Sequence, residues 1–232
     1  MSWMDLIVAT PTVACCFLLG WCLSLSHRLN SIERHSKLDP LTGLGSGHWL
    51  ETERWQAALR SGRPLGVIYI DLDHLKLRND KFGHGAGDRY IKTAAAAITN
   101  ACRRGVDEVF RAYTAGDEFV ILLHGLIADP LGFGQSLLSR LRHQGVAASI
   151  GMAYSTELGF VPARSDLMVL AEQACRKAKK RGGNCVLAIT RDLDDRSSAQ
   201  ARTLDDLGTS QSDCVPVPVE QEAAMPRVQR DC

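Results

Sequence analysis

Apolar residues recur at strand-like and helix-like spacings through the middle of the chain, from about residue 39 to residue 190. Short apolar or alternating runs predict strands, and apolar residues three or four positions apart predict helices. The predicted strands are 65–71, 109–113, 119–124, 147–154 and 184–189, and the predicted helices are 47–60, 86–102, 130–143 and 165–180. This order predicts an α/β domain in which helices cover a central sheet.

The N-terminal segment has a different pattern. Residues 6–25 carry no charge, and as a helix they would span about 30 Å, the thickness of a bilayer core. Basic residues follow this run, at Arg28, Arg34 and Lys37, whereas only Asp5 precedes it. This asymmetry predicts a transmembrane anchor within residues 1–27 and places the rest of the chain in the cytoplasm. A cleaved signal peptide is the alternative, but the basic stretch that should precede its apolar run is absent.

Two polar segments flank the predicted domain of residues 39–190. Residues 28–38 carry Leu29 and Ile32 near helical spacing, which predicts a short linker helix. Residues 191–232 are polar with little periodicity, which is typical of a disordered tail.

Charge and cysteine usage narrow the class of protein. The 27 basic and 26 acidic residues give a formal net charge of +1, whereas nucleic-acid binders usually carry a basic excess. We therefore expect no nucleic-acid partner. The 8 cysteines form no Cys-x-x-Cys pair and are scattered along the chain. This spacing predicts reduced thiols, as in a cytosolic domain.

Acidic residues follow or join predicted strands at two places. Asp71 ends the apolar strand 65–71, and Asp117 and Glu118 lie on a tight turn between two strands. Small residues in that turn, Ala115 and Gly116, allow a ligand to approach the backbone closely. Mg²⁺ takes oxygen ligands from one or two carboxylates and leaves positions for phosphates. Taken singly, each acid has an ordinary alternative role, in capping a helix or forming a turn.

Five segments together resemble the GGDEF family of diguanylate cyclases, over about residues 39–188. The long segment 70–88 matches that family's DxDxFKxxNDxxGHxxGD block nearly throughout, and AGDEF is its signature with Ala115 in place of the first glycine. The five segments, in chain order, are DPLTGL at 39–44, IDLDHLKLRNDKFGHGAGD at 70–88, AGDEF at 115–119, SIGMA at 149–153 and AKKRG at 178–182.

The resemblance implies a fold and an activity. The fold is that of nucleotide cyclases and polymerase palms, an antiparallel-rich central sheet surrounded by helices. The activity is that of a nucleotidyltransferase, which condenses two GTP molecules into cyclic di-GMP and two pyrophosphates. Each domain of a homodimer holds one GTP, and each 3′-hydroxyl attacks the α-phosphate of the other. With the predicted anchor, this implies a single-pass protein of the bacterial inner membrane with a cytoplasmic catalytic domain.

The same resemblance implies roles at the reacting phosphates. Asp71 and Asp117 hold Mg²⁺ or Mn²⁺ by their side chains, and Leu72 contributes its backbone carbonyl, with two ions in each active site. Glu118 is implied to be a further metal ligand or to help deprotonate the 3′-hydroxyl. Lys76 is the counterpart of a phosphate-contacting lysine, which can stabilise negative charge in the transition state.

Other matched positions concern the substrate. Asn79 and Asp88 correspond to residues that bind guanine, and a carboxylate at Asp88 can accept hydrogen bonds that adenine cannot donate. His84 lies in the same block, and it contacts substrate or packs the loop. Lys179 corresponds to another phosphate-binding lysine.

Three departures from the family pattern leave an alternative open. Ala115 adds a methyl group to the signature turn, and Gly183 stands where the family often has a phosphate-binding arginine. Arg104 and Asp107 have the form of an inhibitory product-binding site, but two extra residues separate them from the signature. These departures favour a catalytically weak or inactive module that binds GTP or cyclic di-GMP and regulates a partner. Retention of Asp71, Lys76, Asp117 and Glu118 favours the active enzyme.

Overall fold

The computed structural model describes residues 18–21, 24, 37–112, 116–155, 166–189 and 209–211. The chain divides into two compact units, Met1–Lys37 and Leu38–Cys232. In the first unit, residues 18–21 and 24 are helical and exposed. Within the described residues, no helix combines the length and apolar character needed to cross a bilayer. Most of the predicted anchor and of the linker helix lies outside these residues, so both stay predictions.

The second unit is built on one mixed sheet. Its described strands lie in the order β1-β3-β4-β2-β5-β6-β7. The strands are β1 (Gly45–Ser46), β2 (Leu65–Leu72), β3 (Glu108–Arg111), β4 (Glu118–His124), β5 (Ala148–Tyr154), β6 (Val186–Ile189) and β7 (Thr209–Gln211). The central strand β2 is antiparallel to both β4 and β5, while β1–β3 and β5–β6 are parallel pairs. This arrangement confirms the predicted mixed architecture with an antiparallel-rich centre.

Helices cover both faces of the sheet. They are α1 (Gly47–Trp49), a π-helical segment (Leu50–Arg54), α2 (Trp55–Arg60), α3 (Leu75–Phe82), α4 (His84–Ala101), α5 (Pro130–His143) and α6 (Asp166–Lys180). The chain is thus helical from residue 47 to residue 60, as predicted. Helix α3 was not predicted, because among its eight residues only Leu75 and Arg78 are buried and no apolar stripe marks it.

The side chains of β2 alternate between two apolar cores, one on each face of the sheet. Ile68, Ile70 and Leu72 pack with residues of α4 and α5. Leu65, Val67 and Tyr69 pack with residues of α2 and α6. Burial on both faces explains why β2 reads as a continuous apolar run until Asp71. The sheet therefore presents its first acidic side chain only at the end of its central strand.

The C-terminal segment contributes a strand at the edge of the sheet. Thr209–Gln211 pairs antiparallel with β6, although these residues fall inside the segment 191–232 for which disorder is predicted. A backbone partner at this position satisfies hydrogen-bonding groups of β6 that would otherwise form an open edge. Disorder of the segment 191–232 stays a prediction.

The cysteines depart from the prediction at one position. Cys102 and Cys175 are free thiols, whereas Cys185 is disulfide-bonded. The prediction of reduced thiols is therefore wrong at Cys185. Spacing along the chain could not reveal this bond, because a disulfide depends on the distance between two cysteines in space.

Candidate active site

The two acidic stretches singled out in the sequence meet at the end of β2. Asp71 lies in register with Glu118 of β4 and with Ser149 of β5. One residue later, the Leu72 amide donates a hydrogen bond to the Asp117 carbonyl oxygen at 3.0 Å. Because β2 and β4 are antiparallel, the end of one strand lies beside the start of the other. Asp71, Asp117 and Glu118 thus form one acidic cluster.

The environment of Asp71 disfavours the charged form of its carboxyl. Burial raises the pKa of its carboxyl to about 6, and the nearby charges of Asp117 and Glu118 act in the same direction. Lys179 opposes them, with its Nζ atom 2.6 Å from Asp71 Oδ2. Burial would lower the pKa of Lys179, but the contact with Asp71 raises it above its ordinary value. The site therefore favours a positive charge beside Asp71.

The donor set suits a hard divalent cation that shares its ligands with a substrate. The Oδ1 atom of Asp71 is buried and accepts no hydrogen bond, so an oxygen ligand is available. The side chain of Leu72 is buried in the core, so only its backbone can take part. In the part of the chain that the structure describes, no group of three or more His, Cys, Asp or Glu side chains is placed to hold a metal ion by itself. Mg²⁺ commonly needs only one or two carboxylates when phosphates complete its shell.

The neighbouring acid, Asp73, has a structural role. Its buried carboxylate accepts hydrogen bonds from Ser149 Oγ at 2.9 Å and from the Asn184 amide at 2.7 Å. This contact also explains Gly183. That residue has a φ of +76°, and a Cβ atom there would lie 3.0 Å from Asp73 Oδ2. An arginine at position 183 would be strained in this backbone conformation.

A second group of predicted site residues lies on α3 and at the start of α4. Lys76, His84 and Asp88 are exposed, and Asn79 is half-buried. The Oδ1 atom of Asn79 is buried without a hydrogen-bond partner, so it can accept one from a ligand. A Cβ atom on Gly87 would come within 1.9 Å of this oxygen. The absence of a side chain at Gly87 therefore leaves room for the Asn79 side chain in this position.

Arg111 is a residue of this site that sequence reasoning missed. It ends β3 and is only 4% exposed. Its NH1 group contacts both carboxylate oxygens of Asp39, at 3.2 and 3.3 Å. Its Nε and NH2 groups donate to the Gly116 carbonyl oxygen, at 3.1 and 2.8 Å. Arg111 thus joins the opening motif to the signature turn. A charged residue at the end of a buried strand was the available signal.

Part of the signature turn is outside the described residues. Residues 113–115 are not described, so the effect of Ala115 on the backbone stays a prediction. The described flanks of the turn are anchored, because the Ala112 amide donates to the Glu118 carbonyl oxygen at 2.9 Å. Together with the two contacts from Arg111 to Gly116, this bond fixes both ends of the turn that carries Asp117.

The candidate product-inhibition site lies away from this cluster. Both carboxylate oxygens of Asp107 bind Arg103, at 2.7 and 2.9 Å, and its side chain is fully buried. Arg104 is exposed. A ligand at Asp107 would have to displace Arg103, since the structure leaves neither carboxylate oxygen open to it. Product binding by Arg104 and Asp107 stays a prediction.

Comparison with known proteins decides the family. Residues 36–185 match the family described as diguanylate cyclase, GGDEF domain. The chain belongs to the GGDEF diguanylate cyclase family. The matched residues contain the acidic cluster, Asn79, Asp88 and Lys179, so the site described above lies wholly within the GGDEF domain.

Relatives and solved structures agree with this assignment. The chain is 30% identical over 190 residues to the diguanylate cyclase DgcS of Shewanella oneidensis, covering 76% of this chain and 62% of DgcS. It resembles the GGDEF domain of TpbB (YfiN) from Pseudomonas aeruginosa with a TM-score of 0.57 and 29% identity, covering 64% of this chain and 92% of that domain. Another microbial GGDEF domain, solved for its interaction with cyclic di-GMP, has a TM-score of 0.54 and 30% identity, with coverages of 68% and 100%.

Proposed function

We propose that this protein is an active diguanylate cyclase that condenses two GTP molecules into cyclic di-GMP and two pyrophosphates. The observation that carries the proposal is the acidic cluster of Asp71, Asp117 and Glu118 at the end of β2, with one buried oxygen of Asp71 lacking a partner. A purely structural role would leave no reason to bury such an oxygen without a hydrogen bond. The chain spans 62% of DgcS, so the activity of the whole protein is part of the proposal.

Each side chain of the acidic cluster and each nearby lysine has its own role in the proposed reaction. Asp71 and Asp117 would hold two Mg²⁺ or Mn²⁺ ions, with the Leu72 carbonyl as a further ligand. Cations bound there would supply neutralisation of phosphate charge and acidification of a hydroxyl. Glu118 lies where it can add a ligand or receive the proton of the 3′-hydroxyl. Lys76 is exposed on α3, and in this proposal it contacts the phosphates.

Lys179 has one role in the site without GTP and another when GTP is bound. It neutralises Asp71 through the 2.6 Å contact, and it is 40% exposed there. This exposure leaves its flexible side chain free to exchange the carboxylate for a phosphate oxygen. Lys179 also offsets the loss of a family arginine at Gly183, whose positive φ of +76° disfavours any residue with a side chain.

Asn79 and Asp88 recognise the guanine base in this proposal. The open acceptor of Asn79 suits a donor on the base, and the Asp88 carboxylate suits the adjacent N1–H and amino groups of guanine. Adenine lacks this pair of donors, so bound ATP would leave polar groups unpaired. His84 starts α4 beside these residues and contacts the substrate.

Assembly and location complete the proposal. Two GGDEF domains meet as a homodimer, because the 3′-hydroxyl of each GTP must attack the α-phosphate of the other. A single-pass anchor holds the protein in the bacterial inner membrane with its catalytic domain in the cytoplasm. The uncharged run 6–25 and the basic residues after it support this orientation.

A non-catalytic GTP-binding or cyclic di-GMP-binding module is the second candidate. Gly183 and Ala115 favour it, since each removes or alters a feature of the family's phosphate site. One experiment separates the two functions. Full-length protein in lipid nanodiscs is incubated with GTP and Mg²⁺, and the products are resolved by chromatography. Cyclic di-GMP and pyrophosphate support the cyclase, whereas GTP binding without turnover supports the module.

Asp88→Ala is expected to relax base selection. The wild-type protein should use ATP poorly. The variant should lose about tenfold or more of its preference for GTP, because one hydrogen bond to the base is worth about 1.4 kcal/mol. Competition assays with both nucleotides at equal concentration measure this ratio. Asp80→Ala, an exposed acid on the preceding helix, is the control. Unchanged preference in Asp88→Ala would remove this residue from the base site.

Gly87→Ala is expected to weaken GTP binding about tenfold. The added methyl group would come within 1.9 Å of Asn79 Oδ1, so the side chain must move and one hydrogen bond to the base is lost. Calorimetric titration with 3′-deoxy-GTP, which lacks the attacking hydroxyl, measures the effect. Gly85→Ala is a matched control in the same helical turn, since its Cβ atom would meet only Arg89 NH1, at 3.8 Å. Equal affinities for the two variants would contradict the prediction.

A further inference from the structure

Tyr69 contacts the acidic cluster from inside the apolar core. It lies on β2 two residues before Asp71 and is only 6% exposed. Its hydroxyl donates a hydrogen bond to Glu118 Oε2 at 3.0 Å. Since alternate residues of a strand share a face, Tyr69 and Asp71 project from the same side of the sheet. Asp71 and Glu118 are cross-strand partners, so Tyr69 reaches Glu118 diagonally.

The surroundings of Tyr69 make its ring a rigid support. The ring packs in the core that contains Val67 and Leu65 of β2 together with alanines of α6. A tyrosine ring has two side-chain torsions, and close packing on a buried strand restricts both. Glu118 has three torsions and is only half-buried. A hydrogen bond between the two therefore orders the glutamate more than the tyrosine.

We propose that Tyr69 is a positioning residue for Glu118. The Tyr69 hydroxyl holds Oε2, so that the other carboxylate oxygen is directed to the cation or to the ribose hydroxyl. This inference rests on the proposed function, in which Glu118 serves one of those two groups. Partners that orient a metal ligand commonly change metal affinity or activity by about 10–100-fold when they are removed.

The simpler explanation is that Glu118 only satisfies a buried hydroxyl. Tyr154 provides a matched control for that role. It is 3% exposed on β5, its hydroxyl donates to the Gly125 carbonyl oxygen, and it accepts from the Ile127 amide at 2.9 Å. None of these partners belongs to the acidic cluster. Tyr69→Phe and Tyr154→Phe thus each remove one buried hydroxyl, but only the first one touches the site.

The first measurement is the binding of Mn²⁺ alone to the full-length protein. The electron paramagnetic resonance signal of the free ion reports how much Mn²⁺ remains unbound. Tyr69→Phe is expected to weaken Mn²⁺ binding about 10-fold, whereas Tyr154→Phe should leave it unchanged. In a Glu118→Gln background, Tyr69→Phe should cause little further loss, because its effect acts through the carboxylate. Thermal melting verifies that every variant is folded.

The second measurement separates kcat from KM for GTP. Tyr69→Phe should lower kcat about 10-fold with little change in KM, since the hydroxyl acts on Glu118 and not on bound GTP. Equal Mn²⁺ affinity and kcat in Tyr69→Phe and Tyr154→Phe would overturn the positioning role while the cyclase stands. A wild-type protein that binds no Mn²⁺ and makes no cyclic di-GMP would overturn the proposed function and this inference together.

Discussion

Asp117→Asn is expected to reduce cyclic di-GMP synthesis by about 10³-fold or more. In the proposed site Asp117 is a cation ligand, and its loss removes several kcal/mol of charge stabilisation at the reacting phosphates, where each 1.36 kcal/mol corresponds to tenfold in rate. The backbone of the turn should persist, because the Leu72 amide bonds the Asp117 carbonyl oxygen and not its side chain. Product formation under single-turnover conditions measures the loss.

The thermal stability of Asp117→Asn should not fall with its activity. The charge of Asp117 helps to raise the pKa of Asp71, which means that the two carboxylates repel each other in the absence of a cation. Asparagine keeps the size of the side chain and removes that repulsion, so the melting temperature should be equal or slightly higher. A catalytic site that opposes folding is expected where charges are gathered for a ligand.

Asp129→Asn is the control for this variant. Asp129 caps α5 by accepting a hydrogen bond from the Gly132 amide at 2.7 Å, and asparagine is an equally good cap. Its activity and melting temperature should match the wild type. If Asp117→Asn retained wild-type turnover, the acidic cluster could not be the cation site, and the second candidate function would gain support.

The sequence predicted the acidic cluster because its members lie at the ends of strands. Asp71 ends a strand buried on both faces, which is a strong apolar signal, and Asp117 precedes another such strand. Their meeting then follows from antiparallel pairing of neighbouring strands. Local pattern located each acid at a strand end, whereas the resemblance to the GGDEF family was needed to predict that the acids act in one site.

Arg111 could not be predicted in the same way. Its partner Asp39 is 72 positions away along the chain, and no periodicity relates the two residues. Both are buried, with Arg111 4% and Asp39 3% exposed, although charged residues are rarely buried. Only tertiary structure reveals that the two charges compensate each other.

Helix α3 and Gly183 escaped prediction for related reasons. Helix α3 is polar and buries only two of its residues, so its position depends on contacts with the rest of the domain. Gly183 looked like a lost phosphate contact, since the family pattern has arginine there. In the structure its φ of +76° and the adjacent Asp73 carboxylate account for a glycine. Backbone conformation, which the sequence does not display, decides this position.

Arg111→Met is expected to destabilise the domain and to disable the site. Methionine leaves the buried carboxylate of Asp39 without its cation, at a cost of about 3–5 kcal/mol. For a domain of this size that lowers the melting temperature by roughly 6–20 °C. The Gly116 carbonyl oxygen also loses two donors, so the turn that carries Asp117 loosens. Displacement of a reacting group by about 1 Å can cost 10²-fold in rate.

The double variant Asp39→Asn with Arg111→Met separates these two effects. Asparagine removes the uncompensated charge and can still accept from the amide and hydroxyl of Thr42, which bond Asp39 Oδ1 at 2.8 and 2.6 Å. Much of the lost stability should therefore return. Turnover should stay low, because Gly116 still lacks its donors.

Arg54→Met is the matched control. Arg54 also forms a bidentate contact, with Glu108 at 2.6 and 2.7 Å, but its side chain is 36% exposed. Its partner Glu108 lies opposite Leu122, four residues along β4 from Glu118. Loss of Arg54 should cost about 1 kcal/mol or less and leave turnover unchanged. If turnover recovered with stability in the double variant, Arg111 would act only by holding the fold. Recovery of stability alone would show that its two hydrogen bonds to Gly116 position the signature turn for catalysis.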